Sequence, residues 1–300
     1  MRHPAAAILQ ASLALCVLGM VYDELTINMY DENDLERGLD VKDESLKEVA
    51  EKKKEVCFIN ASFGKSAENL DTVLDMTQYA KEDRIGFFFF TNLEDLETPG
   101  WEKIVMKDLP YKRLITQSRW PKFLGWKHPI IAKMCKTVYY FDVSSAPNYK
   151  MKYYVENAKN YRSSEFGMAQ ANHWTKKVDD EWNMIVWNNK DLKENVDVSK
   201  KWLKNQPDYK SDIKSWRNDH IVYDPESVHF RKASEFFWER YSLELDSWRD
   251  QPLWWYSLHH FNITPMVLDP AGFHFDFTRM GFGSHHYVKE DTNGTKVEME

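Results

Sequence analysis

Asp142 ends a dense β-type run, Thr137-Val138-Tyr139-Tyr140-Phe141-Asp142, and the small polar stretch Val143-Ser144-Ser145 follows at once. Apolar and aromatic side chains in such a run suit a strand buried on both faces, as in a parallel sheet. Open α/β sheets hold ligands just outside the carboxyl ends of their strands. A carboxylate at that place, with the Ser144 hydroxyl two positions on, could hold Mn²⁺ or Mg²⁺, and the cation could grip a diphosphate. A strand-end Asp that caps the next turn has the same pattern. Upstream, Ser118-Arg119-Trp120-Pro121-Lys122-Phe123-Leu124 sets two cations three apart. If that segment is helical, Arg119 and Lys122 share a face. They could then neutralise the charge on a departing diphosphate, although a solvated basic face has the same spacing.

Further along, Asp250-Gln251 follows Trp248-Arg249 and precedes Leu253-Trp254-Trp255-Tyr256. A carboxylate among tryptophans could act as a base or clamp a sugar hydroxyl; an acid favoured by a helix N-terminus is the plainer reading. His285-His286 follows Gly281-Phe282-Gly283-Ser284, and one of these imidazoles could complete a metal site with Asp142. His259-His260 sits in a helical run and suits a structural role. Neither pair has the i, i+4 spacing of a helical zinc site. Nucleophile-elbow, phosphate-loop and dinucleotide fingerprints are absent from the sequence.

The elements that position these residues alternate. Strands are expected at 56–60, 84–91, 104–106, 137–142, 221–223 and 266–268, with a short strand or loop at 167–170. Helices are expected at 69–79, in parts of 179–206, and at 230–245. Pro252 sits at a plausible helix start. Alternation of this kind indicates a mostly parallel sheet flanked by helices. Hydrophobic content of 43% supports a sizeable core, and 29% charged residues argue against a multi-span membrane protein. The formal net charge of -7 disfavours a nucleic-acid surface. The 12 Trp and 15 Tyr suit either core packing or a sugar site lined by flat rings.

Residues 1–22 read as a targeting segment: Arg2 and His3 precede an apolar stretch from Ala5 to Tyr22, and acids follow at Asp23 and Glu24. A signal anchor would leave the body lumenal; a cleaved signal peptide would send it along the same route. Residues 23–54 are highly charged and read as a stem, residues 55–290 as the folded body, and residues 291–300 as a flexible tail. Cys57 and Cys135 remain for the body, where one disulfide is possible. Sequons occur at Asn60, Asn262 and Asn293.

The order and spacing of four stretches resemble the glycosyltransferase-like family of domain of unknown function 616, described as hexosyltransferase-like, and more distantly the GT-A nucleotide-sugar transferases. The stretches are Cys57 to Gly64, Ser118 to Leu124 with Val138 to Asp142, Gly167 to Gln170 leading to His173, and Trp248 to Gln251. The resemblance covers residues 55–290 and implies a GT-A-like fold that moves a hexose from a nucleotide-diphosphate sugar to a glycan. It implies that Asp142 and Ser144 stand at the metal and diphosphate motif, with Ser144 in place of a second acid. Arg119 and Lys122 would face the nucleotide, and His173, Trp174 and Asp250 would line the sugar and acceptor cleft. The location implied is the Golgi membrane, as a single-pass type II protein, or secretion. A non-catalytic carbohydrate-binding relative and a lumenal metal-dependent hydrolase are the alternatives.

Overall fold

The computed structural model describes residues 53–175 and 177–275, with the backbone of Val288–Glu290 and Lys296–Glu298. The expected anchor, most of the stem, Asn293, and both His285 and His286 lie outside the described residues. Among those described, no helix is long and apolar enough to cross a membrane.

The protein is a mixed α/β structure built on a mostly parallel sheet. Its strands are β1 (Val56–Ala61), β2 (Ile85–Thr91), β3 (Glu102–Val105), β4 (Val138–Phe141), β6 (Met168–Gln170), β7 (His220–Tyr223) and β8 (Met266–Val267). They lie in the order β3-β2-β1-β4-β7-β6-β8. All adjacent pairs are parallel except those made by β7, which runs antiparallel to both β4 and β6. The helices are α1 (Leu114–Leu124), α2 (Pro129–Met134), α3 (Met151–Arg162), α4 (Val178–Trp187), α5 (Lys193–Lys204), α6 (Val228–Tyr241) and α7 (Gln251–His260). A short strand β5 (Ser145–Pro147) pairs with β9 (Phe273–Phe275).

The central strands bury both faces because their side chains alternate between two cores. Cys57, Ile59, Phe88, Phe90 and Tyr140 pack on one side with α1, α6 and α7; Phe58, Phe87, Phe89, Tyr139 and Phe141 pack on the other with α3. Each buried Phe contributes roughly 2 kcal/mol. Cys57 of β1 is joined to Cys135, just beyond α2, by a disulfide.

Two expectations fail. Residues 69–79 are not an α-helix: a single 3-10 turn covers Ala67–Asn69, and the chain then runs irregularly. Asp75 accepts a bond from Thr77 N–H (2.8 Å), Met76 N–H donates to Pro99 O (3.0 Å), and Trp101 Nε1 donates to Leu74 O (2.7 Å). Side-chain capping and these distant partners replace the helical ladder. Gly100 makes the contact possible, since it has φ +77° and a Cβ there would lie 2.1 Å from Thr77 N. The helix expected at 230–245 ends at Tyr241. Val288–Glu290 (β10) and Lys296–Glu298 (β11) pair as an antiparallel hairpin.

Candidate active site

The chain lays down β1, β2 and β3 outward in one direction, then returns to place β4 on the other side of β1. The carboxyl ends of β1 and β4 therefore flank the switch point, where doubly wound sheets form a crevice. Asp142 follows β4 directly, and its N–H donates to Asp219 O (2.9 Å), which ties it to the start of β7. Its side chain keeps 28% exposure. The Tyr140 hydroxyl donates to Asp142 Oδ1 (3.0 Å).

The basic segment is helical, as α1, and its 3.6-residue period turns Arg119 and Lys122 to one side. Arg119 Nη1 and Lys122 Nζ each lie 3.7 Å from Asp142 Oδ1. Asp250, which immediately precedes α7, completes a quartet. Lys122 Nζ donates to Asp250 Oδ2 at 2.7 Å, and Arg119 Nε lies 3.6 Å from the same oxygen. Lys122 and Asp250 are buried, at 1% and 3% side-chain exposure. Burial alone would raise the Asp250 carboxyl, but Lys122, Arg119 and Arg249 outweigh it and hold the group below the usual carboxylate range.

This changes the role expected for Asp250. A buried carboxylate bonded to Lys122 and held ionised is a weak proton acceptor, which favours a part in holding the cations over that of a free base. Gln251, at the first turn of α7, has its Nε2 buried without a hydrogen-bond partner among the described residues, as does the Nε of Arg119.

His173 lies on a separate branch. Its ring packs against Trp174 (5.3 Å between centroids) and Trp255 (5.2 Å). The Thr175 N–H donates to Nδ1 at 3.2 Å, and the Thr175 hydroxyl contacts the same ring nitrogen. Burial pushes the His173 pKa down to about 4. Thr175 Oγ1 also donates to Glu181 Oε2 at 3.1 Å. Glu181 in turn feels Arg249, Lys190 and Asp250, which links this branch electrostatically to the quartet. Trp174 projects into solvent at 66% exposure.

Of the expected metal donors, His285 and His286 lie outside the described residues, and the described pair, Asp142 and Ser144, does not by itself make a divalent-cation site. Ser144 is buried, and Asp142 Oδ1 already faces two cationic side chains at 3.7 Å. No group of three or more His, Cys, Asp or Glu side chains among the described residues is arranged to hold a metal ion. A dication on Asp142 would meet both Arg119 and Lys122 as like charges.

Several residues of the site escape sequence reasoning. Tyr140, Glu181, Lys190, Arg217, Asp219 and Arg249 all act on the quartet or on its neighbours. Arg249 had a signal, being adjacent to Asp250. Tyr140 lies two residues before Asp142 on β4, and Glu181, Lys190, Arg217 and Asp219 come from segments far away in the chain. With them the cations Arg119, Lys122, Lys190, Arg217 and Arg249 outnumber the acids Asp142, Glu181, Asp219 and Asp250. A local positive surplus in a chain of net charge -7 suits an anionic ligand. No protein-family model matches the chain, and comparison with curated proteins gives no match.

Proposed function

We propose that the protein is a glycosyltransferase of GT-A-like architecture that moves a hexose from a nucleotide-diphosphate sugar to a glycan acceptor. The observation that carries this reading is the convergence of Arg119 and Lys122 on Asp142 at the switch point of the sheet. In the reaction the bond from the anomeric carbon to the diphosphate oxygen breaks, and a bond to the acceptor hydroxyl oxygen forms. The diphosphate leaves with the electron pair. The hydroxyl proton passes to the released diphosphate. Arg119 and Lys122 offset the charge that develops there, Asp250 holds Lys122 in place, and the His173 ring is a hydrogen-bonding partner for a sugar hydroxyl.

The buried Cys57–Cys135 disulfide supports an oxidising compartment. It agrees with a lumenal body attached to the Golgi membrane through residues 1–22, or secreted. The full-length protein, incubated with a panel of nucleotide-diphosphate hexoses and mixed glycans, should release nucleoside diphosphate. Asp142→Ala should abolish that release. Full activity in Asp142→Ala would defeat the assignment. A second reading, a carbohydrate-binding relative without turnover, is favoured by one observation, the occupied state of Asp250; it requires glycan binding with no nucleotide binding.

A further inference from the structure

Helix α4 carries two stripes of opposite character. Val178, Glu181, Trp182 and Ile185 are buried against the core. Asp180, Asn183, Met184 and Trp187 form a second stripe at i, i+3, i+4 and i+7 and line an open groove of about 610 Å³ together with Trp174, Thr175 and Lys177. A helix on a protein surface ordinarily turns polar residues to solvent. Here Trp187 stands 77% exposed, the most exposed of the large hydrophobic side chains described, and Trp174 on the facing loop is 66% exposed. Leaving two indoles in water forgoes the stabilisation their burial would give.

We infer that this groove binds a hexopyranose chain. A pyranose ring has an apolar C–H face and a rim of hydroxyls. The groove has the complementary composition: two indole surfaces, with a carboxylate (Asp180), an amide (Asn183) and an ammonium (Lys177) interleaved at its edge. An acyl chain would use the indoles alone and make no hydrogen bond with those edge groups. The stripe from Asp180 to Trp187 rises about 10 Å along the helix, enough to seat linked rings and not a single one. The groove joins the candidate active site through one short segment: His173 stacks beside Trp174, and Thr175 is bonded to Glu181 under the helix. On the transferase reading, which this assignment of the occupant's role rests upon, the groove holds the acceptor chain.

The test is calorimetric titration of the full-length protein with gluco-, manno- and galacto-configured tetrasaccharides, and separately with UDP and GDP. At least one tetrasaccharide should bind. Trp174→Ala and Trp187→Ala should each weaken it by about tenfold, with unchanged thermal midpoints, while Trp187→Phe keeps most of the affinity. UDP or GDP binding should be the same in all three variants. If no tetrasaccharide binds, or if both alanine variants bind as well as the parent, the groove assignment falls. If sugar binding depends on the tryptophans while neither nucleotide binds, the groove stands and the transferase reading falls.

Discussion

Replacing Lys122 by Met tests the buried quartet directly. The Lys122–Asp250 contact is 2.7 Å between two side chains almost wholly removed from water. At an effective dielectric of about 20, Coulomb attraction across that gap is about 6 kcal/mol. Desolvation of both ions offsets most of it, and breaking one partner of a buried pair costs about 3–5 kcal/mol. Arg119 remains 3.6 Å from the same Asp250 oxygen, so Lys122→Met should fall near the lower end, at about 3 kcal/mol. With a urea slope of about 3 kcal/mol per molar, the unfolding midpoint moves down by about 1 M. The pH profile should change as well. The folded-state pKa of Asp250 lies below its unfolded value, so its stabilisation is present above the unfolded pKa and is lost as pH falls through the folded one. Without Lys122 that depression shrinks, and the acid-side loss of stability should become shallower. The double variant Lys122→Met, Asp250→Leu should recover much of the loss, because an apolar replacement leaves no unpaired ion. A single-variant loss under about 1 kcal/mol, the behaviour of a solvent-exposed pair, would refute the reasoning.

Three further outcomes are expected. His173 has its pKa lowered by burial to about 4; the unfolded ring therefore binds the proton first, and stability should decline as pH falls from about 6.5 towards 4. In His173→Gln that part of the slope should vanish, and an unchanged urea profile between those pH values would contradict it. Replacing Cys57 and Cys135 together by Ala removes a crosslink spanning 78 residues and should cost about 4 kcal/mol; a mutant as stable as the parent would show the crosslink to be idle. Asn262 is exposed in a left-handed turn after α7 while Asn60 is buried in β1. Peptide mapping of protein made in a secretory host should therefore find glycan on Asn262 and none on Asn60.

The strands that frame the site were legible because double-sided burial writes itself as unbroken apolar runs. Phe87 to Phe90 and Val138 to Phe141 are the clearest cases. The pairing of Arg119 with Lys122 was legible once a helix was assumed, since a three-residue spacing survives any small error in the helix ends. The partnership of Lys122 with Asp250 was not, because 128 residues separate them and no local pattern encodes such a contact. The irregular path after Asn69 was misread for a related reason. Leu70, Val73, Leu74 and Met76 mimic helical periodicity, whereas the backbone bonds there go to Pro99 and Trp101. Trp187 was missed although its register was readable. It falls on the stripe of α4 opposite the buried one, where a tryptophan is out of place.

The reversed direction of β7 has a consequence for how such a site can vary. At the rim holding Asp142, the parallel strands contribute the segments that leave them, but β7 contributes the segment that arrives. Arg217, Asn218 and Asp219 reach the rim in this way, as the end of the long connection from α5. That connection is anchored along its length: Asp208 accepts from Tyr256 Oη at 2.6 Å, Ser215 O from His173 N–H at 3.2 Å, and Trp216 O from Trp255 Nε1 at 2.7 Å. A change in that arriving segment therefore acts on the Asp219 side of the rim, whereas Arg119, Lys122, Asp142 and Asp250 are carried by other elements.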